Sequence, residues 1–172
     1  MDRIVFYLRL VALLAGLGAS AWAQAQDMRA ANPTAPRLAG LTFEGQPFDL
    51  ASLRGKVVLI VFWSTSCAVC RDKMGELRAN YEGWRGQPFE MVLVSQDRRF
   101  QDVQAYEQIL AQTVPRAQRF PQLWSGQPAY ADSFGAKPML PATFLINKKG
   151  LVEKSYICRI PPEAWDDIAE LL

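Results

Sequence analysis

Three cysteines hold most of the reactive chemistry this chain can offer, and it has no histidine. Cys67 and Cys70 stand in the stretch FWSTSCAVC (62–70), separated by Ala68 and Val69, while Cys158 lies far downstream in KSYICRI (154–160). A pair at this spacing can be a staple, a metal clip or a reagent. The staple gains little, because a disulfide closing so short a loop removes little freedom from the unfolded chain. Zinc needs four Cys, His or carboxylate ligands, and one C-x-x-C with a distant third cysteine falls short. A cuprous ion on Cys67, Cys70 and a thioether such as Met139 is chemically allowed. An inert disulfide left from a retired site also stays open.

The elements around the pair favour the reagent. KVVLIVFW (56–63) is a continuous, β-branched apolar run, as expected of a strand buried on both faces. Beyond it Cys70, Met74, Leu77, Tyr81 and Trp84 recur at alternating spacings of four and three, which places them on one helix face. Cys67 therefore opens that helix, where free backbone N–H groups and the positive end of the helix dipole face its sulfur. Thiolate is the attacking species, and in such places a cysteine pKa falls from about 8.5 to between roughly 3.5 and 7.5. Cys70, nearly one turn on and on the apolar face, is expected to be buried. Cys67 is then the nucleophile and Cys70 the resolving thiol.

The rest of the chain must build a scaffold for this turn. LTFEGQPFDL (41–50) predicts a hairpin about Gly45, followed by a helical turn over 50–53. FEMVLVS (89–95) predicts a second buried strand, Phe100 to Gln112 a helix, and 115–138 mostly connecting structure. ATFLI (142–146) and LVEKSYICRI (151–160) form a hairpin turning at NKKG, and PPEAWDDIAELL a final helix with proline in its first turn. Within that last strand Cys158 shares a face with Val152, Lys154, Tyr156 and Ile160, the pattern of a small core residue. A third redox partner is the alternative. The order of elements predicts an α/β fold: a mixed central sheet with helices on both faces and an N-terminal hairpin.

Residues 1–23 have the form of a signal peptide. Arg3 and Arg9 give a basic start, LVALLAGLGA (10–19) an apolar stretch, and Ala21-Trp22-Ala23 a small-residue cleavage site. The run is shorter than the roughly 20 apolar residues of a membrane span, and an uncleaved N-terminal anchor is the alternative. Residues 24–39 read as a flexible linker and 40–172 as one domain, long enough to fold without disulfides. A formal net charge of +2 implies neither a nucleic-acid partner nor a polybasic membrane patch. Export would put the protein in the periplasm or another extracytoplasmic space, where disulfides persist.

From about Leu41 to Leu172 the chain resembles the thioredoxin fold, and specifically the exported TlpA/ResA-like thiol–disulfide oxidoreductases. The resemblance rests on GKVVLIVFWSTSCAVCR (55–71), KPMLPATFLINKKGLV (137–152) and the lead-in DLASLRGK (49–56). It implies a redox-active Cys67–Cys70 disulfide with no further cofactor, acting on protein dithiols or disulfides. It also implies a reductant's role, fed by a membrane dithiol donor. Pro141 would be a cis-proline facing the pair, and Leu140, Pro141, Ser66 and Trp63 would meet the substrate. The chain departs from the pattern in several places. Ser66 stands where many relatives have tryptophan, Ala68-Val69 fill the C-x-x-C, and Gly75 replaces a helix proline. Val61 and Lys73 occupy positions where relatives carry an acid, and AKPMLPATF (136–144) lacks the GVxGxPET-like stretch of cytochrome c maturation proteins. Two other classes remain. One is a non-catalytic thioredoxin-fold module that handles Cu(I). The other is a peroxiredoxin-like peroxidase, for which Ser64 stands three residues before Cys67.

Overall fold

The computed structural model describes residues 35–172. The expected leader and most of the linker lie outside the described residues. The folded part begins earlier than residue 40: strand β1 covers Leu38–Leu41, and Leu38 is completely buried. Residues 38 and 39 are therefore strand rather than linker, because Leu38 has a core pocket to fill and β1 has partners on both sides.

The central sheet forms as its apolar runs require. β3 (Val57–Trp63) is buried at every position, and β4 (Phe89–Ser95) runs parallel to it with Trp63 opposite Ser95. β5 (Gln122–Trp124) adds to the outer side of β4, also parallel. On the other side β7 (Ala142–Ile146) pairs antiparallel with β3, and β8 (Val152–Ile157) closes the hairpin at the edge. A smaller sheet joins β2 (Pro47–Asp49), β1 and β6 (Ala131–Asp132), with the β1–β2 turn using Gly45 at φ 78°. β5 and β6 both fall in the stretch expected to be connecting structure. They are three and two residues long, too short to leave a periodic signal.

Among the described residues the three α-helices are α1 (Ala68–Gly83), α2 (Phe100–Thr113) and α3 (Glu163–Leu171). Alternate residues of β3 separate two cores. Val57, Leu59, Val61 and Trp63 pack with Met74 and Leu77 of α1, Val103 of α2, and Ala164 and Ile168 of α3. Val58, Ile60 and Phe62 pack instead with Leu38, Leu50 and Leu123, covered by Phe48, Leu53, Tyr130 and Phe134. The expectation of helices on both faces is thus corrected: all three contribute to one face, and the other is covered by the small sheet and irregular segments. The cause is topological. The crossovers β3–α1–β4 and β4–α2–β5 step the same way along the sheet, and right-handed crossovers then lie on the same side. Among the described residues no helix is long and apolar enough to cross a membrane.

Candidate active site

β3 ends at Trp63, and a tight turn follows. The Cys67 N–H donates to the Ser64 carbonyl at 3.2 Å, and the Arg71 N–H donates to the Cys67 carbonyl at 3.1 Å, the first bond of α1. Cys67 is the N-cap of this helix, with φ −82° and ψ 103°, and its Sγ accepts the Cys70 N–H at 3.1 Å. A sulfur at an N-cap replaces the oxygen that usually satisfies the free donors of the first turn. Cys67 and Cys70 are joined as a disulfide, with Cα atoms 5.2 Å apart. Cys70 is 2% exposed beneath Met74 and Leu77, whereas Cys67 is half-buried.

The peptide bond between Leu140 and Pro141 is cis. The register of β7 on β3, Phe62 opposite Ala142, brings Pro141 to the end of β3 from which the cysteine turn departs. Leu140 and Cys67 pack against the same core cluster, and Pro141 is buried. An ion pair fastens the approach to this segment. Lys137 Nζ lies 2.6 Å from Asp132 Oδ1 and 4.2 Å above the centroid of the Phe62 ring, and both charged side chains are nearly buried. Burial on its own would raise the Asp132 carboxyl, but hydrogen bonds from Lys137, Tyr130 and the Phe134 N–H outweigh it and hold the group below the usual carboxylate range.

Other residues expected at the site are dispersed. Ser66 is exposed in the turn, its Oγ 3.0 Å from that of Ser64. Trp63 offers a substrate nothing: it is completely buried, tilted against Tyr106 at 5.2 Å, with an indole N–H that finds no acceptor among the described residues. Its place in an inward-facing row of β3 is the reason, since period-two alternation turns it with Val61 into the core. Cys158 also departs from expectation. β8 ends at Ile157, and Cys158 turns into the left-handed region at φ 69°, exposed rather than packed. Its Sγ lies 3.3 Å from Met139 Sδ.

One residue at the site went unremarked in the sequence. Asp97, 8% exposed, lies two positions past the end of β4 at the carboxyl end of the parallel strands. Its carboxylate accepts the Thr65 N–H (3.0 and 3.2 Å to the two oxygens), the Thr65 hydroxyl (2.7 Å) and the Ser95 hydroxyl (2.8 Å). The available signal was positional: an acid just beyond a buried parallel strand, where open α/β sheets place their sites.

A sheet with this topology, its central strand feeding a half-exposed cysteine at a helix N-terminus beside a cis-proline, defines a thioredoxin-fold protein with a disulfide-forming pair. Comparison with known proteins agrees. Residues 31–155 match the AhpC/TSA family, to which the chain belongs, and its relatives make it a ResA/TlpA-like thiol–disulfide oxidoreductase. It is 30% identical to thiol-disulfide oxidoreductase ResA of Geobacillus thermodenitrificans, over 84% of this chain and 81% of that one. Identity to ResA of Halalkalibacterium halodurans is 26%, over 75% and 69%. Among solved structures, a thiol:disulfide interchange protein of the thioredoxin family from Chlorobium tepidum superposes with a TM-score of 0.62. It is 22% identical, covering 81% of this chain and 96% of that one, and supports the fold.

Proposed function

We propose that the protein acts outside the cytoplasm as a reductant of protein disulfides, with Cys67 as the attacking sulfur and Cys70 as the resolving one. The observation that carries this reading is the asymmetry of the pair: Cys67 is reachable and accepts a helix-terminal N–H, and Cys70 is 2% exposed. In the reduced protein the Cys67 thiolate attacks one sulfur of a substrate disulfide. That S–S bond breaks, a mixed disulfide forms, and the departing substrate thiolate takes a proton from water. Cys70 then loses its proton and attacks Cys67 Sγ, releasing the second substrate thiolate and leaving Cys67–Cys70 oxidised by two electrons. A membrane dithiol donor restores the pair by the same exchange in reverse order.

The Cys70 N–H stabilises the Cys67 thiolate, since hydrogen bonds to the charged form favour it. Leu140 and Ser66 are the surface on which an extended substrate segment would lie, and buried Pro141 would fix the direction of the Leu140 backbone there. Location outside the cytoplasm is supported by the basic start, apolar run and small-residue site of residues 1–23.

The test is the reduction potential of the pair, measured by equilibration with defined thiol buffers, alkylation and mass analysis. A value between about −120 and −270 mV matches working exchangers, and its position gives the direction. A value below about −300 mV is that of a structural disulfide and ends this reading. Stoichiometric Cu(I) uptake without disulfide turnover would favour a metal-handling module, and hydrogen peroxide consumption a peroxidase.

A further inference from the structure

The turn that presents Cys67 is gripped on both sides by charged side chains. Asp97 holds the N–H and the hydroxyl of Thr65, and a guanidinium N–H of Arg71 donates to the carbonyl of the same residue. Thr65 is the second residue of the turn closed by the Cys67 N–H on the Ser64 carbonyl, so fixing its peptide groups fixes the direction in which the chain enters α1. That direction gives Cys67 its extended N-cap conformation, with Sγ facing the Cys70 N–H.

Asp97 is itself firmly placed. Its N–H donates to Ser95 Oγ at 3.1 Å, and its carbonyl accepts the Trp124 indole N–H at 2.7 Å. Ser95 is the register partner of Trp63, and the Gln96 N–H donates to the Trp63 carbonyl at 2.7 Å. The loop after β4 is thereby locked to the end of β3. Yet the carboxylate makes no ion pair among the described residues; its partners are neutral donors. A nearly buried carboxylate is kept where hydrogen-bond donors satisfy it, and Thr65 supplies two of the three donors here. Loop closure alone would not call for a carboxylate, because Ser95 and Trp124 already tether the backbone. What the side chain adds is a pair of acceptor oxygens that hold Thr65 by its N–H and its hydroxyl at once.

We propose that Asp97 is a positioning residue for thiol–disulfide exchange: acting through Thr65, it holds the turn that aligns Cys67 Sγ with the Cys70 N–H. This rests on the reading of Cys67 as the attacking sulfur. The acceptor oxygen is the part that matters. Asp97→Asn keeps an oxygen for the Thr65 N–H, and the Thr65 and Ser95 hydroxyls can rotate to accept from the new amide. Asp97→Ala removes every acceptor and frees the turn.

The experiment follows alkylation of the reduced full chain across pH, with the modified cysteine identified by mass mapping and folding checked by thermal melting. Exposed Cys158 is alkylated as well, and mass mapping separates its adduct; of the active pair, the modification in wild type maps to Cys67. In Asp97→Ala the midpoint of its pH profile rises by about half a unit or more, and its rate at pH 7 falls roughly threefold to tenfold, as a thiolate loses a hydrogen bond. In Asp97→Asn the midpoint stays at or below that of wild type. A folded Asp97→Ala with a wild-type midpoint and rate overturns the proposal, as does an equal rise in both variants. If Asp97→Ala does not fold, Thr65→Val replaces it: a raised midpoint supports the clamp and an unchanged one overturns it. First modification at Cys70 in wild type would overturn the nucleophile assignment itself, and with it this inference. That outcome is distinct from a failure at Asp97 alone.

Discussion

The N–H of Cys158 donates to the carbonyl of Pro141 at 2.9 Å, tying the third cysteine to the cis-proline segment. Cys158 thus lies at the same end of the sheet as the cysteine pair, two strands across from β3. It is exposed and free, while the other two sulfurs are bonded to each other. The oxidised native protein should therefore take up one equivalent of maleimide, at Cys158, and three after reduction and denaturation. Intact-mass analysis reads both. A native oxidised protein that resists labelling would contradict the exposed position.

Replacing either active cysteine should give different phenotypes, because only one is reachable. Cys67→Ser should abolish exchange with a disulfide peptide. Cys70→Ser should instead accumulate mixed disulfides, visible as reducible adducts on non-reducing gels. Equal behaviour of the two variants would remove the distinction between nucleophile and resolver.

Trp63 is interior packing, so its replacement should act on stability and leave substrate binding alone. Trp63→Phe leaves part of the indole volume empty beside Tyr106, a cost of roughly 2 kcal/mol on the scale of large-to-small core changes. The indole N–H has no acceptor among the described residues, so no hydrogen bond to them is lost. The KM for a disulfide substrate should stay within about twofold, measured below the melting transition. A KM several-fold higher would return Trp63 to the substrate surface.

The Asp132–Lys137 pair makes stability depend on acid. The folded carboxyl of Asp132 titrates below its usual value, so its contribution is complete above the unfolded carboxylate pKa of about 3.9. It is lost as pH falls through the lower folded value. Asp132→Asn leaves the nearly buried Lys137 charge without its partner and should cost about 3 kcal/mol at neutral pH. In urea titrations the gap from wild type should close as pH drops below about 4. A gap constant across that range would mean the pair is not the source.

Glu107 has the opposite sign. Burial raises its carboxyl, against the pull of the Gln122 amide, Arg78 and Arg119, and its Oε1 has no partner among the described residues. The folded state then disfavours the charged form, and stability falls as pH rises through the folded pKa. Glu107→Gln should melt a few degrees higher than wild type at pH 7. The two should melt together below about pH 4, where both states carry a proton. A lower melting temperature for the variant at pH 7 would refute the reading.

Much of this molecule is legible in local pattern. β3, β4 and β7 match the runs 56–63, 89–95 and 142–146 to within one residue, because strands buried on both faces leave unbroken apolar sequence. The α1 stripe was readable because Cys70, Met74 and Leu77 keep helical spacing. The pair itself was readable because a cysteine that opens a helix after a buried strand has few other uses. These are features of one segment and its own neighbours, so local pattern is enough to encode them.

Tertiary structure decided the rest, because it depends on which segments meet. Which face the helices cover follows from the direction of successive crossovers, not from any single helix. Trp63 and Cys158 exchanged their expected environments for the same reason. Trp63 is inward because β3 is central, and Cys158 is exposed because β8 is an edge strand that stops one residue before it. Asp97 stands 30 positions from Cys67 in sequence and reaches its turn only when β4 lies beside β3, with Ser95 opposite Trp63. No periodicity encodes that meeting; the parallel pairing of two buried strands creates it.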